Sequence, residues 1–272
     1  MNAYREATLV HLAEYKRSEL GVSVDGLWHH KNKPFAHFLP EEQRELNILP
    51  RIRTDFWTFA ASAGIRLERD FHHLTSLQAF AFNLFFPFRG VGAEARAALT
   101  KALGLSGVLV TDVRFDVVLD GDEQPVFDAV LDLDKGSAVV AVKLTEDAFG
   151  PGKTDSAHPH KRGAEYRRRL RGKVGISALG DDMFWDHYQL LRNISYASPS
   201  APRSVILFIP RANAELTAST QRFLRVWLEG EYRPWVRIVF LEDFLQALRD
   251  LPGLPEIEAH VRDVEAKYSA SE

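Results

Sequence analysis

The stretch 126–150, VFDAVLDLDKGSAVVAVKLTEDAFG, constrains the fold of this chain more than any other. Two runs rich in β-branched residues flank the polar turn DKGS, a pattern that predicts two antiparallel strands and a short connection. Side chains alternate along a strand, so Asp128 shares a face with Val126, Val130 and Asp132, and Phe127, Ala129 and Leu131 take the other. On the second strand Ala141 and Lys143 share one face, and Val140 and Val142 the opposite one. Charge on strands this apolar has either a chemical use or a place at a strand end.

The flanking sequence completes an α/β pattern. VLVTDVRFDVVL at 108–119 adds a third strand, giving a meander. Periodicity before it predicts helices over 3–18, from Pro40 to near Pro50, over 54–62, and over 93–103. The most apolar segment, FHHLTSLQAFAFNLFFPF at 71–88, predicts a buried helix over about 74–86. The stretch between Gly21 and Pro40 reads as irregular. After the meander come a basic, Gly-containing region at 151–181 and a helix at 183–197. SVILFIP at 204–210 is a strand, 213–229 a helix, and 235–240 a strand. Helices at 241–250 and 254–267 close the chain. Strands alternating with helices predict a mixed sheet covered on both faces. Residues 1–69 read as a helical N-terminal extension and 70–272 as the core with its C-terminal helices.

Composition excludes several classes. With 46% hydrophobic residues, 18 Phe and 5 Trp, the chain has material for a large core. No cysteine is present, which removes disulfide scaffolds and thiolate metal sites and fits a reducing cytoplasm. The N-terminus carries charge throughout, unlike a signal peptide, and no run approaches the roughly 20 apolar residues of a membrane span. A cytoplasmic protein is expected. The formal charge of −3 does not announce a nucleic-acid binder, so any such role rests on local charge.

Carboxylates from the two strands would suit Mg²⁺, a hard cation that prefers oxygen ligands. The metal would activate a water and the lysine would orient it. On spacing alone, a solvated pair of strand-end charges fits equally well. Beyond spacing, Asp128, a 12-residue gap and then Ala141-Val142-Lys143 resembles the signature of the PD-(D/E)XK nuclease superfamily. The chain is similar to a family of bacterial restriction endonucleases within it, through FHHLTSLQAFAFNLFFPF, FDAVLDL, VAVKLTEDAFG, YQLLRNISYA and the weaker KNKPFAHFLPEEQRELNIL. That resemblance implies a restriction-endonuclease-like α/β core. It gives Asp128 the role of metal ligand, Lys143 that of catalytic lysine, and Gln189 that of a residue ordering the site. Gln78 matches a polar position on the buried N-terminal helix that would support the site from behind. By spacing alone, Asn193 lies four residues from Gln189 and shares its helix face, as a supporting pair would, and plain helix surface fits it equally well.

Position 141 departs from the family pattern, which has Glu there. A methyl group binds no metal. Either a glutamate was replaced by design, or the chain has lost it naturally, or Glu146 or Asp132 supplies the ligand. By strict alternation Glu146 falls on the face opposite Lys143 unless the strand ends first.

Residues 153–173 hold eight Lys/Arg against Asp155 and Glu165, a local +6. Set directly after the lysine strand, Lys161, Arg162, Arg167, Arg168, Arg169, Arg171 and Lys173 are expected to contact DNA phosphates rather than form only a solvated charged loop. GPGKTD at 150–155 is not a phosphate loop, because Asp147 stands where the pattern needs Gly. His29/His30 and His72/His73 lack an H-E-x-x-H helix or cysteine partners, so a zinc enzyme is not expected, and His72/His73 read as capping or packing residues. The sequence therefore predicts a Mg²⁺-dependent DNA endonuclease, with Mn²⁺ as substitute metal and activity weakened by Ala141. The alternative is a catalytically dead DNA-binding protein. A homodimer would let two single sites cut two strands.

Overall fold

The runs of β-branched residues in the middle and second half of the chain pair into one mixed sheet in the computed structural model. It describes residues 2–30, 32–119, 127–152, 157–251 and 253–269, with only the backbone for 157–162. Strands β3 (Val110–Arg114), β4 (Ala129–Leu133) and β5 (Gly136–Val142) form the antiparallel meander. Strands β6 (Arg203–Ile209) and β7 (Val236–Phe240) continue it in parallel, giving the order β3-β4-β5-β6-β7. The parallel half requires crossovers. These are the helices α5 (Ala157–Leu170), α6 (Asp181–Asp186), α7 (Tyr188–Ser195) and α8 (Ala214–Trp227).

Period-2 alternation divides the core in two. Ala129, Leu131, Ala138, Val140, Val142, Ile206 and Phe208 face one apolar cluster. It is shared with α1 (Ala3–Ser18), α2 (Pro50–Ala63), α3 (Leu77–Phe85), α4 (Ala93–Ala102), α9 (Leu241–Arg249) and α10 (Pro255–Tyr268). Val130, Val139, Ala141, Val205, Leu207 and Ile209 face the other, covered by α5 to α8. The α/β class, the mixed sheet and its two covered faces are as the sequence predicts. In α3, Ser76 caps the helix by accepting from the Ala79 N–H at 3.0 Å, and Phe80, Phe82 and Phe85 are fully buried. Each such ring contributes about 1.5–3 kcal/mol by leaving water, and Phe82→Ala would cost about 3–5 kcal/mol.

Four local expectations need correcting. Residues Glu41–Asn47 form a 3-10 helix, and Pro50 starts α2 instead of ending its predecessor, because its fixed φ suits a first helical position. Part of the irregular stretch is a hairpin, β1 (Gly26–Trp28) with β2 (Lys33–Phe35). The basic region contains α5, whose Tyr166 and Leu170 are buried on the sheet. Finally, the helix expected at 183–197 breaks at His187 into α6 and α7. Among the described residues, no helix is long and apolar enough to cross a membrane.

Candidate active site

Antiparallel register pairs Ala129 with Val140 and Val130 with Val139, and Asp128 lies one residue beyond this ladder. The ladder ends there in an unusual way. The Asp128 N–H donates to the Val140 carbonyl at 2.9 Å, and its carboxylate Oδ2 accepts from the Val142 N–H at 2.8 Å. A side chain thus stands in for a strand carbonyl, fixed between positions 141 and 143. Phe127 packs in the cluster of Val130 and Ala141 instead of that of Ala129, so the alternation expected through 127–129 breaks just before the strand.

Lys143 follows directly. Its N–H donates to the Phe208 carbonyl at 3.0 Å, holding the chain against β6, and Nζ donates to Gln189 Oε1 at 3.1 Å. The Phe149 ring lies 5.8 Å from the ammonium. The sequence-predicted lysine and glutamine therefore meet, and two glycines are the reason. Gly150 has φ +87°, its carbonyl accepts from the Gln189 N–H at 3.3 Å, and a Cβ there would sit 3.0 Å from Gln189 Nε2. A Cβ on Gly152 would fall 2.8 Å from the Trp185 ring. The Gly-Pro-Gly turn docks the end of the lysine segment onto α6 and α7; the rest of GPGKTD lies outside the described residues. Asn193, one turn beyond Gln189, is buried with its Oδ1 unpartnered, and among the described residues no hydrogen bond links it to Lys143.

Two further carboxylates lie within electrostatic reach of Asp128. Glu146 is one, its Oε2 accepting from the Leu144 N–H at 2.9 Å. Glu68 is the other, and spacing gave no sign of it. The Glu68 stem is exposed, but its carboxyl is turned inward to accept from the Ser76 hydroxyl. Gln78 holds this segment at two points: Oε1 accepts from the Glu68 N–H and Nε2 donates to the Arg66 carbonyl, both at 2.9 Å. Its role is thus to position Glu68, and the polar Ser76 and Gln78 at the head of so apolar a helix were the available signal. Burial first, and then the charges of Glu68 and Glu146, push Asp128 up to about 7 against the Val142 N–H and Lys143. Burial likewise raises Glu68. Asp132 stands apart, bound through both oxygens by Arg114 at 2.7 and 2.6 Å, four residues along β4 and about 13 Å away.

The model of a family described as restriction endonuclease associating with ARP matches residues 9–269. The chain belongs to that family. No curated protein and no solved structure gives a significant match.

In this restriction-endonuclease family member the basic segment divides in two. Arg167 pairs with Asp181 at 2.5 Å and lies 4.2 Å from the Phe184 ring centre, and Arg169 pairs with Glu165. Lys173 Nζ donates to the carbonyls of Ser195 and Ala197 at 2.7 and 2.6 Å, closing the C-terminal end of α7. Each of these three has a partner within the chain. Arg168 and Arg171 are exposed. Lys161 and Arg162 lie on α5, with side chains outside the described residues.

Proposed function

We propose that this chain provides a Mg²⁺- or Mn²⁺-dependent DNA endonuclease site, centred on Asp128 and Lys143 and weakened by Ala141. The observation that carries this reading is the Asp128 carboxylate, fixed on the Val142 N–H of β5 between position 141 and the lysine. Position 141 adjoins Val142, whose N–H holds that carboxylate, so Glu there would bring a second carboxylate near Asp128. In this chain Asp128 would hold the cation, with Glu68 and Glu146 near enough to act on it electrostatically, and the repulsion among these carboxylates is the kind a divalent ion relieves. When bound, the metal would lower the pKa of a water and offset phosphate charge.

The protein's own contribution follows from the geometry. Gln189 holds the Lys143 ammonium at the strand end, where it would orient the attacking water and stabilise negative charge gathering on the phosphate. Arg168 and Arg171, both exposed, would contact the DNA backbone, with Lys161, Arg162, Arg167, Arg169 and Lys173 of the same segment contributing positive charge. A methyl at 141 also supports the second reading, a DNA-binding protein of the same fold without cleavage. Installing Ala141→Glu and assaying plasmid nicking with Mg²⁺ and Mn²⁺ separates them. The endonuclease reading expects a gain of at least about tenfold, abolished by adding Lys143→Ala. Binding without any gain selects the second reading. Both fail if affinity for DNA is insensitive to salt, or if Arg168→Ala and Arg171→Ala leave the salt slope unchanged instead of lowering it by about 1 each.

A further inference from the structure

The histidines of the N-terminal region come together away from the nuclease site. His29 follows β1, Glu41 opens the 3-10 helix, and His72 lies in the turn before α3. Their ligand atoms all lie within 4.8 Å of one another. Glu41 Oε2 is 3.1 Å from His29 Nε2 and 3.0 Å from His72 Nδ1, and Arg44 lies against the other oxygen, Oε1, at 3.4 Å.

His72 decides what this cluster is. Its ring is 1% exposed, and Nε2 lies 3.0 Å from the Leu27 carbonyl. A carbonyl only accepts, so Nε2 carries a proton and Nδ1 is the nitrogen that a metal ion would take. Nδ1 points into the cluster, buried and without an aligned hydrogen-bond partner despite the nearby carboxylate. A nitrogen and a carboxylate oxygen 3.0 Å apart are held together by a cation shared between them. A proton on Nδ1 would not lie on the line to Oε2, whereas a metal ion bound to both atoms sits off that line. Ligands about 2.0–2.2 Å from a tetrahedral zinc are roughly 3.4 Å apart, so the observed spacings need only small shifts. The Leu27 carbonyl on the far nitrogen is the outer contact that fixes the tautomer of a metal-bound histidine.

We propose that His29 Nε2, Glu41 Oε2 and His72 Nδ1 form a binding site for Zn²⁺ or a similar transition-metal ion, with water in the fourth position. Imidazole nitrogen selects such an ion over Mg²⁺, which prefers an all-oxygen shell. The ion would staple the β1–β2 hairpin and the 3-10 helix to the turn that leads from Glu68 into α3. No spacing rule reveals it, because the three ligands come from separate segments. The inference is independent of the nuclease reading.

The test uses the full chain, stripped with chelator and titrated calorimetrically with Zn²⁺ in excess Mg²⁺. One equivalent is expected to bind, and Co²⁺ in its place should give the visible absorption of a tetrahedral site. His29→Ala and Glu41→Gln, both at partly exposed side chains, should each weaken Zn²⁺ binding more than about tenfold. Asp128→Asn should leave it unchanged. Absence of stoichiometric uptake overturns the proposal. So does uptake that ignores the His29 and Glu41 substitutions, or that is lost with Asp128→Asn.

Discussion

At the residue scale, Asp128 is a carboxylate placed where ionisation is opposed. Its ordinary value of 3.8 rises to about 7, so between those pH values the folded chain holds a proton that the unfolded chain has released. Stability contributed by this group therefore falls as pH rises through that window. Asp128→Asn removes the slope while leaving an oxygen to accept from Val142. In chelator, denaturant titrations should show the variant gaining on the parent between pH 5 and 8, and added Mg²⁺ at pH 8 should stabilise the parent alone. A difference that is the same at both pH values would count against the ionisation argument. Asp128 and Lys143 were legible because each interrupts an apolar strand. Glu68 was not, since in RLERD it is one charge among several, and only the folding of Gln78 onto Arg66 and Glu68 brings it inward.

At the scale of elements, the contact between the lysine strand and α7 depends on backbone approach. Gly152→Ala would drive a methyl into Trp185, a buttress of α6, and Gly150→Ala would press on Gln189 from a left-handed backbone. Overpacking of this kind costs about 1–3 kcal/mol. Both variants should lower the melting temperature. In the Ala141→Glu background Gly150→Ala should also reduce cleavage more than Gly152→Ala, because it displaces the partner of Lys143; equal effects would deny Gln189 a positioning role. The strands were readable to within a few residues, because β-branched alternation depends on local sequence. Helix α5 was hidden by its charge: an amphipathic segment with two well-spaced buried anchors, Tyr166 and Leu170, looks like a solvated run until the sheet is there to receive them. That Arg167, Arg169 and Lys173 also have internal partners was equally hidden, since sequence charge does not reveal them.

For the whole molecule, the two ends of the chain are joined through a buried polar network. Asn83 accepts from the Leu49 N–H and donates to the Asn47 carbonyl and the Tyr268 hydroxyl, the last at 2.7 Å. Lys267, buried and with its pKa driven well down by desolvation, donates to Asn47 Oδ1 at 2.6 Å. Tyr268→Phe takes one partner from a fully buried amide and should lower stability by about 1–3 kcal/mol in a denaturant titration; no change would show that the amide finds another acceptor. This network also sets an order of events during synthesis. Asn47 and Asn83 leave the ribosome long before residues 267 and 268, and the Phe80 and Asn83 face of α3 stays without its α10 cover until then. A growing chain can therefore pair its strands early, yet the buried amides of Asn47 and Asn83 gain their Lys267 and Tyr268 partners only after translation has passed Tyr268.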